Sequence, residues 1–139
     1  MAYDLQALIA DEGAIWTAVS AGAVVIRLPQ GKAMIPVSDQ LREVHDVPFL
    51  PLTDGGVTEV PDGIATMGEA IARAGRVAYV EAEFFGVVGT QACVTWDASQ
   101  IPSPPLVDAH AINTAIRFLG VVSREQITTA LSDGLRIAA

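Results

Sequence analysis

The run Val77-Ala78-Tyr79-Val80-Glu81-Ala82-Glu83-Phe84-Phe85, with Gly86-Val87-Val88-Gly89 and Thr90-Gln91-Ala92-Cys93-Val94-Thr95-Trp96 after it, constrains this chain more than any other. Two β-prone stretches of similar length flank a short glycine-containing link, the pattern of a β-hairpin. Glutamate is depleted in strands, so Glu81 and Glu83 at a spacing of two demand a reason. Alternation places Ala78, Val80, Ala82 and Phe84 on one side of the first strand, and Val77, Tyr79, Glu81, Glu83 and Phe85 on the other. The first set is apolar throughout and is expected on the core. The second is amphipathic and is expected to face outward, with Gln91, Cys93 and Thr95 of the partner strand beside Tyr79, Glu81 and Glu83.

The flanking elements give the hairpin something to pack on. Leu5, Ala7 and Ile9 alternate weakly over Tyr3 to Ile9, which suits a short strand or one irregular helical turn. Ala23 to Leu28 and Ala33 to Val37 are apolar runs around Pro29-Gln30-Gly31, a second hairpin. Pro36 cannot donate to a ladder, so its strand is expected at an edge or to stop there. Ser38 is placed to cap a short helix whose Leu41 and Val44 face inward. Pro48 to Gly56 reads as a surface loop pinned by Phe49, Leu50 and Leu52.

A firmer helix begins at Asp62, where Ile64, Met67, Gly68, Ile71 and Ala72 recur at helical spacing and Gly75 is placed as its C-terminal glycine. Ile101-Pro102-Ser103-Pro104-Pro105 reads as a stiff connector. Asp108 is a candidate cap for a helix with Ile112, Ala115, Ile116 and Leu119 inward and Gly120 as its stop. Ser123-x-x-Gln126 is a capping box opening a last helix, with Ile127, Ala130, Leu131 and a closing Gly134. Runs of strand and runs of helix, without strict alternation, predict an α+β fold. The expected architecture is one domain over residues 1–139, an antiparallel sheet of about four to six strands with helices packed on one face.

Charge and residue inventory exclude several functions. The net charge is −8 and the eight basic residues are scattered, which argues against nucleic acid and against an anionic membrane as partners. The longest apolar run, Ala21 to Ile26, is too short to span a bilayer. Asp4, Asp11 and Glu12 interrupt the start of the chain, so no signal peptide is expected and the protein is expected in the cytoplasm. Cys93 is the single cysteine, which rules out an intrachain disulfide and a multi-cysteine metal site. His45 and His110 show no zinc-ligand spacing, so neither a metal nor a cofactor is expected. Cys93 has no local basic neighbour and reads as an inert thiol. Ser20, Ser38 and Ser123 lack a Gly-x-Ser-x-Gly context. Gly86 to Gly89 lacks a following Lys-Ser/Thr and leads into a strand, so it is no phosphate loop. Trp96 and Phe84 read as core anchors, while Trp16 suits either core or interface.

At the hairpin the chain resembles a group of small, largely uncharacterised bacterial proteins of similar length. Their shared pattern looks like Ala-Tyr-Val-Glu-Ala-Glu-Tyr/Phe-Phe-Gly-Gly-Val-Gly-x-Gln-Ala, then Ile-Asn-x-Ala-Leu-Arg-x-Leu-Gly-Val. Ala78 to Gly86, Gly89, Gln91 and Ala92 carry the first half here. Ile112, Asn113, Ala115, Ile116, Arg117, Leu119, Gly120 and Val121 carry the second. Val87 departs from the pattern, standing where glycine is expected. The resemblance implies no activity. By size, charge and style, such proteins also resemble immunity proteins, which bind and block a toxin.

Three functions compete on this basis. The leading one is a non-enzymatic binding protein whose partner is another protein, most concretely a basic toxin domain. Glu81, Glu83, Gln91 and Tyr79 would supply polar contacts and Phe85 an aromatic anchor. No catalytic residue is assigned in this reading. The second is a small hydrolase acting on a sugar-like or other small substrate, with the two carboxylates as acid and base. The third is a homo-oligomer joined through the hairpin edge. A deep pocket with converging carboxyl groups favours the enzyme; a flat exposed face favours binding.

Overall fold

The computed structural model describes residues 2–18, 23–85 and 88–121. Ten elements follow one another: β1 (Ala2–Asp11), α1 (Glu12–Ala18), β2 (Ile26–Arg27), β3 (Lys32–Pro36), α2 (Asp39–His45), α3 (Asp62–Ala72), β4 (Val77–Phe85), β5 (Val88–Trp96), β6 (Leu106–Asp108) and α4 (Ala111–Phe118). The six strands form one antiparallel sheet in the order β2-β3-β1-β4-β5-β6. The α+β class and the antiparallel sheet are therefore those the pattern predicts. The helix expected from Ser123 to Gly134 lies outside the described residues, as do Gly86 and Val87 in the hairpin link.

β1 is the centre of the sheet, pairing with β3 on one side and β4 on the other. Its weak alternation has a simple cause: a strand covered on both faces is apolar on both. Leu5, Ala7 and Ile9 join one core cluster, whereas Leu8 and Ala10 join the other. β2 and β3 close as a hairpin over Pro29–Gly31, where Gln30 and Gly31 take left-handed φ of 62° and 73°. β3 stops at Pro36, as its missing N–H requires.

Each face of the sheet carries its own core. On one, Leu8, Ala33, Ile35, Val77, Tyr79, Ala92, Val94 and Trp96 meet Ala14 and Ile15 of α1, Leu41 of α2, and Ile64, Met67 and Ile71 of α3. On the other, Ala7, Ile9, Ala78, Val80, Ala82 and Cys93 meet Ala111, Ile112, Ala115 and Ile116 of α4. Three helices thus share a face, and α4 adds a cover on the second. Ile64, Met67, Gly68, Ile71 and Ala72 are all buried, as their spacing predicts. Gly68 is needed for close approach: a Cβ there would stand 2.7 Å from the Trp96 ring.

Local differences have local reasons. Ser38 caps α2, its Oγ accepting from Leu41 N–H at 3.3 Å. Val44, expected inward, is 63% exposed because this two-turn helix rests on the core through Leu41. Asp108 accepts from His110 N–H at 2.7 Å just ahead of α4, whose N-cap position is His110 itself. No helix among the described residues is long and apolar enough to cross a membrane.

Candidate functional site at the covered hairpin

The outward face expected for β4 is interior at Val77, Tyr79 and Glu81. Glu81 and Tyr79 are fully buried, each with 0% exposure, which corrects the expectation that they project into solvent. Their cover is the loop after α2, whose Leu50 and Leu52 are buried while Phe49 stays exposed. A buried carboxylate is tolerated only where donors replace its water, and the loop supplies them. Glu81 Oε1 accepts from Leu52 N–H at 3.1 Å, Thr53 N–H at 2.9 Å and the Thr53 hydroxyl at 3.1 Å. Oε2 accepts from Leu52 N–H at 3.2 Å and from the Tyr79 hydroxyl at 2.6 Å. Two consecutive backbone N–H groups converging on one anion form a nest.

A chain of polar groups leads from this carboxylate toward the surface. Gln6 Nε2 donates to the Tyr79 hydroxyl at 3.0 Å and to Pro48 C=O at 3.1 Å. Gln6 Oε1 accepts from Arg42 Nη1 at 3.1 Å, and the same Arg42 nitrogen donates to Val37 C=O at 2.7 Å. Arg42 also pairs with Asp39 and lies over the Phe49 ring at 5.0 Å. The Tyr79 phenol is pushed far above its ordinary pKa, first by burial and then by the charge and hydrogen bond of Glu81. It is a donor locked in its neutral form.

Glu83, two residues on, has a different fate. It is partly exposed, and the β1–β4 register sets it opposite Asp4. Partial desolvation raises its pKa, and the charges of Asp54 in the loop and Asp4 add to the rise. The ion pairs Arg27–Glu12, Lys32–Asp11 and Arg42–Asp39 involve none of the three acids of this corner. No group of three or more His, Cys, Asp and Glu among the described residues could hold a metal ion.

The remaining assignments shift with the register. Tyr79 pairs with Val94, Glu81 with Ala92 and Ala82 with Gln91. Gln91 and Cys93 therefore lie on the α4 side, opposite to the face expected for them. Gln91 Oε1 accepts from Ile112 N–H at 2.9 Å, and so caps the first turn of α4. Phe85 ends β4, paired with Ala2 and Val88, and its side chain lies outside the described set. Cys93 is buried, and burial with the nearby Asp108 charge pushes its thiol up to about 11. Four of the five expected contact residues are thus separated: Tyr79 and Glu81 inside, Glu83 at the surface, Gln91 behind the sheet.

Sequence reasoning missed Gln6, Arg42, Thr53, Asp54 and Asp4. Gln6 did leave a signal, since it is the one polar residue in the run Leu5 to Ala10. Asp4 and Asp54 left none, because only the folded register brings them to Glu83. Comparison with protein-family models, curated proteins and solved structures finds no match to this chain.

Proposed function

We propose that this chain is a non-enzymatic protein-binding module whose contact surface is the acidic corner of Asp4, Glu83 and Asp54. The observation that carries the reading is the placement of Glu83 directly opposite Asp4, with Asp54 near enough to raise its proton affinity further. Like charges opposite one another on a sheet are destabilising, and a cationic partner would relieve the repulsion while its encounter is speeded by the field. The net charge of −8 supports the same sign of partner. A basic toxin domain, held as an immunity protein holds one, is the most concrete form of this reading. The hydrolase alternative loses its support, because both oxygens of Glu81 are occupied by the loop and Tyr79.

The test is a pull-down from a lysate of the source organism at low and high salt. The bait is compared with an Asp4→Asn/Asp54→Asn/Glu83→Gln variant of equal helicity. A protein retained at low salt, released at high salt and lost from the variant supports the corner. Retention that ignores the three substitutions rejects it.

A further inference from the structure

The loop over Glu81 is attached to the fold in an uneven way. Its backbone closes on itself: Asp54 and Gly55 N–H donate to Leu50 C=O, each at 3.0 Å, and Val57 N–H donates to Pro51 C=O at 3.1 Å. Among the described residues, its polar ties to the sheet run through side chains of the strands. Leu52 and Thr53 hang on Glu81, and Pro48 on Gln6. Left-handed backbone marks both ends, with Asp46 at φ 54° and Gly56 at φ 67°. Leu50 holds φ 44°, a conformation that costs a branched side chain free energy. A self-closed turn with strain inside and few backbone bonds outside belongs to the low-stability end of a structure.

We infer that residues 48–56 form a strap that opens as one unit, that the Glu81 carboxylate latches it shut, and that the latch holds Asp54 beside Glu83. The carboxylate suits this work because one group serves three donors from two consecutive strap residues. Those bonds are lost together, so the strap is released in one step. Opening also bares Leu50, Pro51 and Leu52, all buried when closed, so the open form is a minor one. Glu81 and Glu83 lie on one face of β4, about 7 Å apart at the strand rise. Asp54 directly follows Thr53, which Glu81 holds. The latch and the acidic corner are thereby one mechanical unit. This inference needs no partner, and its failure leaves the binding reading standing.

Native-state hydrogen exchange on the intact chain tests it. The Leu52 and Thr53 amides should exchange through an opening insensitive to denaturant, while β1 and β4 amides follow global unfolding. Glu81→Gln puts an NH2 among N–H donors, and should speed exchange at Leu52 and Thr53 at least about tenfold. Carboxyl titration by NMR reads the second half. Glu81→Gln should return Glu83 toward its ordinary pKa, and should do nothing further when Asp54→Asn is already present. Strap amides that share the denaturant dependence of the sheet would overturn the strap, and wild type alone decides that if the variant does not fold. An effect of Glu81→Gln on Glu83 that is as large beside Asp54→Asn as without it would overturn the positioning role.

Discussion

The two faces of this sheet are built on different terms. Beneath α4 the buried side chains are Ala78, Val80, Ala82 and Cys93 against Ala111, Ile112, Ala115 and Ile116, with the Gln91 cap on Ile112 N–H as a polar tie at the helix start. Beneath α1, α3 and the strap the strands contribute Gln6, Tyr79 and Glu81 alongside Leu8, Val94 and Trp96. Both faces exclude water, yet among the described residues only one does so around a buried carboxylate. A polar face on a strand is therefore not the same as a solvated face. What decides is whether another segment brings donors to it, and here Leu52 and Thr53 do.

The largest effect should come from deleting the polar anchor. Glu81→Ala leaves two backbone N–H groups, the Thr53 hydroxyl and the Tyr79 hydroxyl without their acceptor. Its expected cost is about 3–5 kcal/mol, the range for breaking a buried charged network. Ile116→Ala on the opposite face should cost about 2–5 kcal/mol through cavity formation. Denaturant curves on both variants compare the faces directly. A Glu81→Ala loss below about 0.5 kcal/mol, the level of an ordinary surface change, would break the comparison.

The contrast also explains what could be read in advance. The residues of α3 announce themselves, because Ile64, Met67, Ile71 and Ala72 form one stripe and a stripe needs only local geometry. So do the Pro29–Gly31 turn and the end of β3 at Pro36, each imposed by its own backbone. The hairpin itself was legible, and its register was not. A shift of one residue decides whether Gln91 or Ala92 stands opposite Glu81, and it moved Gln91 and Cys93 to the other face. The cover over Glu81 was less legible still. Its donors are backbone N–H groups of a loop some thirty residues earlier, and no side-chain pattern encodes where a loop will lie. Isolated polar residues within apolar strands, Gln6 and Glu81 together, were the available hint of a buried network.

A smaller change sharpens the comparison without opening a cavity. Tyr79→Phe keeps the ring and removes the hydroxyl that links Gln6 to Glu81. The loss should be about 1–3 kcal/mol, since both neighbours stay buried with one partner fewer. Thermal or urea unfolding measures it. A neutral result would mean that the donors from Leu52 and Thr53 hold Glu81 without Tyr79, and that the network ends at the strap.

The smallest effect lies outside the cover, where the same strand meets solvent. Glu83 has its pKa raised above the model-compound value of 4.5, by partial desolvation and then by Asp54 and Asp4. A carboxyl whose folded pKa exceeds its unfolded value binds more protons when folded. Stability should therefore fall as pH rises from the ordinary glutamate range through the titration of Glu83. Asp4→Asn removes the charge opposite Glu83, so it should flatten that slope and leave stability at acid pH almost unchanged. Unfolding midpoints measured across pH for wild type and Asp4→Asn read the difference directly. A slope of the other sign would mean that a cation reaches Glu83, and the acidic corner would then be neutralised from within the chain. An unchanged slope would assign the rise to desolvation and Asp54, leaving Asp4 outside the corner that the sheet register draws.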